Sequence, residues 1–438
     1  MKKKANKKSS SSFDSLYNYV LVKLFETIND KRASNKSYQV LDALKSGFAI
    51  YSLKFASLFS FRGQSKAENS NLRSVYGIKD IPSDNTLRNI LDRIEPNDIR
   101  KGFHELFKRI KKIGILSPYE YWNKSLIVSV DGVEHFSSKS IHCEHCMQRE
   151  HRDGTTSFYH SMLSSAIVHP DKKEVFILDN EPIVKQDGSK KNDCERNAAQ
   201  RLLDNLESLY SENRMVFVFD ALYACAPVVK RFLNNHNWKF VTAVKSGGNK
   251  SLMRQFNEMD DQGEVKWEIQ RDTQGEHSYG WINGLMLNDS NTDIKVNMLW
   301  YKHTNKKGQL KEFTWISNIE LKKGNVEKVM KMGRSRWKIE NETFNTLKNQ
   351  NYNFEHNFGH GKEHLCTNFA FLMMLAFYVD QIQQSNCVYF QSILTELKTR
   401  IKLWEYIRAV FKIKPQKSME QIHLSIMELY QIELETPK

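Results

Sequence analysis

The sequence predicts an α/β protein with a mixed five-stranded sheet and flanking helices, an antiparallel β insertion, and helical N- and C-terminal regions. Five short segments rich in β-branched and aromatic residues, each bounded by turn residues, lie between positions 125 and 244. Helical segments separate only the third, fourth and fifth of these. Three strands, a helix, a strand, a helix and a fifth strand favour one mixed sheet.

The N-terminal part is predicted to be a basic disordered tail followed by a helical DNA-binding region. The tail, 1–12, reads MKKKANKKSSSS, and no apolar run follows it, so no secretory signal is expected. Residues 13–118 show helical apolar spacing in FDSLYNYVLVKLFETI and FHELFKRIKKIGIL. Between them, Ser83 is a predicted N-cap for a helix that carries Arg88. We expect that helix either to read DNA or to be an ordinary packing helix.

The sheet domain is predicted to span 119–246 and 320–385, with the insertion at 247–319 and a helical C-terminal region at 386–438. In the insertion, VKWEIQR, HSYGWING, KVNMLWYKH and FTWISNI follow one another without helices, which indicates antiparallel strands. The longest apolar run, FAFLMMLAFYV, is too short to cross a bilayer and predicts a buried helix.

The amino-acid composition indicates what kind of partner the protein binds and in which cellular compartment it is located. Lys and Arg number 65 against 51 Asp and Glu, which gives a formal charge of +14. Such a surplus favours a polyanionic partner, most often nucleic acid, although a charge for solubility alone is the alternative. Six cysteines in a chain of this length do not indicate a disulfide scaffold, so we expect a reducing, cytoplasmic location.

Three carboxylates are candidate catalytic residues. Two predicted strands, LIVSVDG and MVFVFDAL, end on Asp131 and Asp220, where inner strands of such sheets commonly line a site. Each alone is also explained by a strand-end turn. Glu340 falls inside an apolar helical stripe formed by Trp337, Phe344 and Leu347. A buried carboxylate needs a partner, and three together suit Mg²⁺.

In this order and on these elements, the three residues resemble the catalytic triad of the DDE transposases of bacterial insertion sequences, which have an RNase H-like fold. RWKIEN is similar to the Arg-Trp-x-Ile-Glu core of the insertion sequence four-like group, whose signature is Tyr-x2-Arg-x3-Glu-x6-Lys. VSVDGVEHF and VFDALYA resemble the motifs around the two Asp residues. Two positions depart from the signature: Gly333 replaces the Tyr, and Lys348 lies one residue beyond the expected Lys.

The resemblance implies cleavage at the ends of an insertion sequence and transfer of the freed 3′-OH into target DNA, with hairpin ends as one route. It implies Asp131, Asp220 and Glu340 as ligands of Mg²⁺, with Mn²⁺ as a substitute. The implied partners are the terminal inverted repeats, target DNA and a second copy of the chain, in the bacterial nucleoid. A decayed DNA-binding relative and a nuclease without strand transfer stay open as alternatives.

Three further residues are candidate DNA contacts, each with an alternative. Arg336 lies one turn before Glu340, where it would pair with a phosphate or, as an i,i+4 ion pair, with Glu340 itself. Lys348 would contact a phosphate or lie on a solvated helix face. Trp315 would stack on an unpaired base, or fill a core position as strand aromatics usually do.

A second metal site is a possibility in SIHCEHCMQREH. Cys143 and Cys146 form a C-x2-C pair of the kind that structural zinc sites use, but such sites need a second pair of ligands. The sequence offers Cys194 and His151 for that pair. The alternative is that the cysteines are free thiols on a loop.

Overall fold

The computed structural model describes residues 10–32, 37–61, 66–185, 192–245 and 247–434. Within these ranges one sheet contains eleven strands in the order β3-β4-β2-β6-β7-β11-β10-β9-β8, with β1 paired to β2 and β5 paired to β4. The strands are β1 Glu120–Trp122, β2 Ser125–Ser138, β3 Met147–Glu150, β4 Thr156–Val168, β5 Phe176–Ile183, β6 Met215–Phe219, β7 Trp238–Val244, β8 Lys266–Arg271, β9 Gly275–Asn288, β10 Asn291–Asn305 and β11 Leu310–Ser317.

The predicted mixed five-stranded sheet is confirmed. Strands β2, β4 and β5 pair antiparallel, and β6 and β7 continue the sheet on the other side of β2 as parallel strands. The resulting order, β5-β4-β2-β6-β7, is that of the RNase H-like fold. Helices lie on the two parallel connections because a crossover must bring the chain back to the starting edge of the sheet. These helices and those before them are α1 Phe13–Leu16, α2 Val22–Phe25, α3 Val40–Ser52, α4 Leu58–Phe61, α5 Lys66–Ser74, α6 Asp84–Leu91, α7 Pro96–Lys112, α8 Glu195–Tyr210 and α9 Ala226–Leu233.

The region before the sheet is helical. A π-helical turn, Tyr17–Leu21, joins α1 to α2, and the side chain of Ser12 caps α1 by accepting the N–H of Ser15. Residues 1–9 of the predicted tail lie outside the described residues. The hydroxyl of Ser83 accepts the N–H of Thr86, so the predicted cap of α6 is present.

The insertion is antiparallel, as predicted, but it begins with a helix. Lys250–Asp261 forms α10, and the expectation of strands without helices was wrong for this segment. Leu252, Gln255 and Phe256 are buried at helical spacing, which gives the segment an inner face of its own. Strand β11 pairs antiparallel with β7, so the insertion extends the core sheet.

After the insertion the chain is helical to its end. The segments are α11 Val326–Ser335, a π-helical turn Ile339–Phe344, α12 Asn345–Asn349, α13 Leu365–Asn386, α14 Val388–Leu397, α15 Arg400–Ile413 and α16 Met419–Leu429. Helix α13 is long and apolar enough to span a membrane by length and composition, but its apolar window is entirely buried inside the protein. It packs against α3 and α7, so the predicted buried helix is confirmed.

Candidate active site

Asp131 and Asp220 lie at the same level of two adjacent parallel strands. The last residue pair between β2 and β6 joins Ser129 to Val218, and each aspartate follows two residues later. Neighbouring strands are about 5 Å apart, so the two backbones present these side chains close together at one edge of the sheet. Asp220 also caps the short turn after β6, where its Oδ1 accepts the N–H of Leu222 at 2.9 Å.

Glu340 lies on the π-helical turn Ile339–Phe344 that follows α11. A π turn adds a residue to the helical period and rotates everything after it, so the regular helical wheel does not hold here. As a consequence Trp337, predicted to share the buried stripe, is 49% exposed, while Ile339, Phe344 and Leu347 are buried. Glu340 itself is half-buried.

Ser129 and Arg336 connect the strand of Asp131 to the segment that carries Glu340. The hydroxyl of Ser129 donates to the carbonyl of Arg336 at 2.9 Å. Nη1 of Arg336 donates to Oδ2 of Asp131, also at 2.9 Å. The ion pair of Arg336 is with Asp131 and not with Glu340, so the alternative of an i,i+4 ion pair is wrong.

The three carboxylates sense one another electrostatically. Burial raises the pKa of Asp131, Arg336 lowers it, and the negative charges of Asp220 and Glu340 raise it again. Among the described residues, their oxygens do not form a group in which all atoms lie within 4.8 Å of one another.

A fourth carboxylate, Glu195, belongs to the same cluster and was missed in the sequence. Burial raises its pKa, and Asp131 and Asp220 raise it further. The phenol of Tyr223 donates to its Oε2 at 3.3 Å. Glu195 is the first residue of α8, where an acidic residue is ordinarily explained by the helix dipole, so the sequence carried no separate signal.

Gly132 makes room for Glu195. A Cβ at this position would lie 2.5 Å from Oε1 of Glu195, closer than real contacts allow. The Asp-Gly pair of the first motif does not mark a turn, since β2 continues to Ser138, and a side chain at position 132 would require the Glu195 carboxylate to shift.

Trp315 fills the space left by Gly333. A Cβ at Gly333 would lie 2.5 Å from Nε1 of the Trp315 indole, and Trp315 is only 4% exposed. The indole thus fills a position in the protein core, which was the alternative to stacking on an unpaired base. The departure of Gly333 from the signature has the same cause, because a larger side chain there would collide with the indole.

The other two DNA-contact candidates have partners inside the protein. Nζ of Lys348 pairs with Glu355 at 2.8 Å on the protein surface. Nε of Arg88 donates to the carbonyl of Phe358 at 3.0 Å, so α6 holds the loop before α13. This contact fits the alternative that α6 is a packing helix.

A separate cluster brings Cys143 and Cys146 together with His160 and His360. All four ligand-type atoms lie within 4.8 Å of one another. The predicted second pair was wrong: Cys194 is an exposed residue at the start of α8, and Nε2 of His151 lies 2.9 Å from the hydroxyl of Ser157. The two histidines were missed because they lie 14 and 214 residues from Cys146 and have no motif spacing to it.

The sheet order, with Asp131 within β2 and Asp220 directly after β6, defines an RNase H-like protein with an acidic site. The family model described as the transposase DDE domain matches residues 143–378, more than half of the chain. The chain belongs to this family, and it is therefore a DNA transposase. The matched range contains Asp220 and Glu340 and begins after Asp131.

Other comparisons are distant. No curated protein matches the chain. Among solved structures, the chain is similar to a piggyBac transposase in a synaptic complex with hairpin DNA, at 12% identity and a TM-score of 0.40. That similarity covers 97% of this chain and 80% of the other.

Proposed function

We propose that this transposase belongs to the insertion sequence four-like group and moves its element by cut and paste. Its catalytic carboxylates in this proposal are Asp131, Asp220 and Glu340. The observation that carries the proposal is the matched position of the two aspartates on adjacent strands, with Glu340 close enough to influence the charge on Asp131. Membership in the transposase DDE domain family supports the reaction class.

The donor set fits a hard divalent cation. Carboxylate oxygens are the ligands that Mg²⁺ prefers, and a cation would offset the burial and, to a smaller extent, the like charges that raise the pKa of Asp131. When bound, Mg²⁺ or Mn²⁺ supplies stabilisation of the attacking and leaving oxygens in an in-line displacement at phosphorus. The protein contributes the three ligands and, through Ser129, a fixed position for the backbone next to Glu340.

Arg336 and Lys348 are the residues we assign to DNA-end phosphates. Both follow α11 on the segment that carries Glu340, and Arg336 needs only to exchange Asp131 for a phosphate. A guanidinium binds phosphate oxygens in the same forked geometry that it uses for carboxylates. The internal contacts of Arg88 and Trp315 make structural roles the better assignment for those two residues.

The substrate in this proposal is double-stranded DNA carrying the terminal inverted repeats, and the product is joined target DNA. The formal charge of +14 supports a polyanionic substrate. Cutting two ends together requires at least two copies of the chain in the complex. A hairpin at the end of the element, formed when the freed 3′-OH attacks the opposite strand, is the expected intermediate of this group. The reaction would occur on nucleoid DNA in the cytoplasm.

The test is a cleavage and joining assay with purified protein. The substrate is a labelled duplex that carries the inverted repeat bracketing the coding sequence, with Mg²⁺ or Mn²⁺, analysed on denaturing gels. We expect nicking, a hairpin species and joined products. Asp131→Asn, Asp220→Asn and Glu340→Gln should each lower cleavage by about a hundredfold or more, while DNA binding is retained.

The matched control is Asp293→Asn, which changes a carboxylate that is 70% exposed in the insertion and should cleave like the wild type. Cleavage by any of the three site variants at the wild-type rate would overturn the assignment. Binding without cleavage by the wild type would instead support the decayed relative. Cleavage without joining would support the nuclease, and flush ends without a hairpin would exclude the hairpin route.

A further inference from the structure

We propose that Cys143, Cys146, His160 and His360 form a structural zinc site that ties the outer end of the antiparallel β2–β4 pair to the loop before α13. Their ligand atoms converge from three separate parts of the chain. The two cysteines lie on the turn between β2 and β3, His160 lies on β4, and His360 lies between α12 and α13. The site is independent of the carboxylate cluster.

The distances fit one tetrahedral ion. With ordinary zinc–sulfur and zinc–nitrogen bonds, a tetrahedral site separates two sulfurs by about 3.8 Å, sulfur and nitrogen by about 3.5 Å, and two nitrogens by about 3.3 Å. Here the two Sγ atoms are 3.9 Å apart and the two Nε2 atoms 3.2 Å apart. Three of the four sulfur–nitrogen distances are 3.5, 3.3 and 3.2 Å.

Hydrogen bonds alone do not account for this cluster. Nδ1 of His360 lies 2.8 Å from the carbonyl of Gly361, which places the proton there and directs the lone pair of Nε2 into the cluster. At most two S–H protons and one N–H of His160 then remain for five close contacts. A cation satisfies all of them, because thiolates and neutral imidazoles donate lone pairs to it.

Burial and the surrounding contacts support a closed site. Cys146, His160 and His360 are 1%, 3% and 7% exposed, and Cys143 is half-buried. Within the described part of the chain, Nε2 of His160 makes its polar contacts with the other three members of the cluster. Four protein ligands leave no position for substrate, and this set of two Cys and two His is typical of structural zinc rather than catalytic zinc.

The loop that carries His360 is held from the N-terminal region as well. Arg88 donates to the carbonyl of Phe358, and the carboxylate of Asp92 accepts the backbone N–H groups of residues 362–365. The zinc ion would add the link from this loop to the antiparallel β2–β4 pair that carries Asp131. It would therefore fix the segment that follows Glu340 relative to the strand of the first aspartate.

The test is metal analysis of the full-length protein after purification without added metal. We expect about one zinc ion per chain, falling to near zero in Cys143→Ser and in His360→Ala. Cys194→Ser and His151→Ala are the matched controls and should keep the wild-type zinc content. Asp131→Asn should keep it too, which separates this site from the carboxylate site.

A second measurement does not depend on the variants. Replacement of zinc by Co²⁺ in the wild-type protein should give the intense visible absorption of tetrahedral cobalt with thiolate ligands, and chelation should lower the melting temperature. Folded wild-type protein without zinc would overturn the proposal. So would zinc retention in both Cys143→Ser and His360→Ala, or an octahedral cobalt spectrum.

Discussion

Arg336 donates to Asp131 at 2.9 Å, and this ion pair joins the residue before the π turn to the strand of the first aspartate. Both side chains are largely shielded, at 13% and 23% exposed. In the proposed function, Arg336 binds a DNA phosphate and Asp131 binds a divalent cation. Binding of either partner therefore competes with the pair.

Arg336→Gln should bind Mn²⁺ more tightly in the absence of DNA and cleave DNA more slowly. Removing a charge-assisted hydrogen bond worth about 1.5–3 kcal/mol frees Asp131 for the cation but loses the phosphate contact. Isothermal titration with Mn²⁺ and single-turnover cleavage measure the two effects. Arg334→Gln is the control, since Arg334 is exposed and lies over Phe313. Equal Mn²⁺ affinity in wild type and both variants would contradict this competition.

Gly333→Ala should destabilise the protein by about 1–3 kcal/mol because its Cβ would overlap the Trp315 indole. Urea unfolding measures the loss. The double variant Gly333→Ala with Trp315→Phe should recover part of it, because the smaller ring leaves space for the methyl group. Gly324→Ala is the control, as nothing lies within 4 Å of its added Cβ. Additive losses in the double variant would refute the packing explanation.

Lys54→Met should lower the free energy of unfolding by about 3–5 kcal/mol, since it leaves the carboxylate of Asp380 buried without its cation. Nζ of Lys54 lies 2.7 Å from Asp380, and both side chains are almost fully buried. The contact joins the end of α3 to the core helix α13. The control is Lys101→Met, at an exposed ion pair with Asp98, where we expect a change below about 1 kcal/mol. Similar losses at the two sites would rule out a special role for the buried pair.

Acid should destabilise the C-terminal helices through His423. Burial lowers the pKa of His423 to about 4. The unfolded chain binds this proton near pH 6.5, so the stability from the neutral ring is present above pH 6.5 and is lost as pH falls towards about 4. The loss amounts to about 2 kcal/mol between pH 8 and pH 5.

The measurement is urea unfolding of wild type and His423→Leu at several pH values. As pH falls from 8 to 5, the free energy of unfolding of the variant should rise by that amount relative to that of the wild type. His236→Leu, at an exposed histidine, should follow the wild-type pH profile. A constant difference between wild type and His423→Leu at all pH values would show that His423 does not titrate as stated.

The sequence was most informative for residues whose surroundings are set by a single helix or strand. The buried strands that carry or precede Asp131 and Asp220 could be recognised because a run of apolar residues is a local signal, although β2 continues to Ser138 and does not end at Asp131 as predicted. The cap at Ser83 and the buried helix α13 are also local features. These signals fixed the order of strands and helices, which largely determines the sheet.

Long-range convergence was less accessible. Neither Glu195 nor the pair His160 and His360 has a spacing that points to its cluster, since the fold alone brings them there. The π turn at Glu340 changed the helical phase, so a regular wheel misplaced Trp337. Helix α10 was missed because the polar residues between its apolar positions resemble a loop.

Strand β11 pairs with β7, so the insertion and the strands of the two aspartates belong to one hydrogen-bonded sheet. Sliding one strand past its neighbour would break the whole ladder between them, and the sheet therefore resists shear. Any ligand held by the outer strands of the insertion would therefore keep a constant distance from the two aspartates.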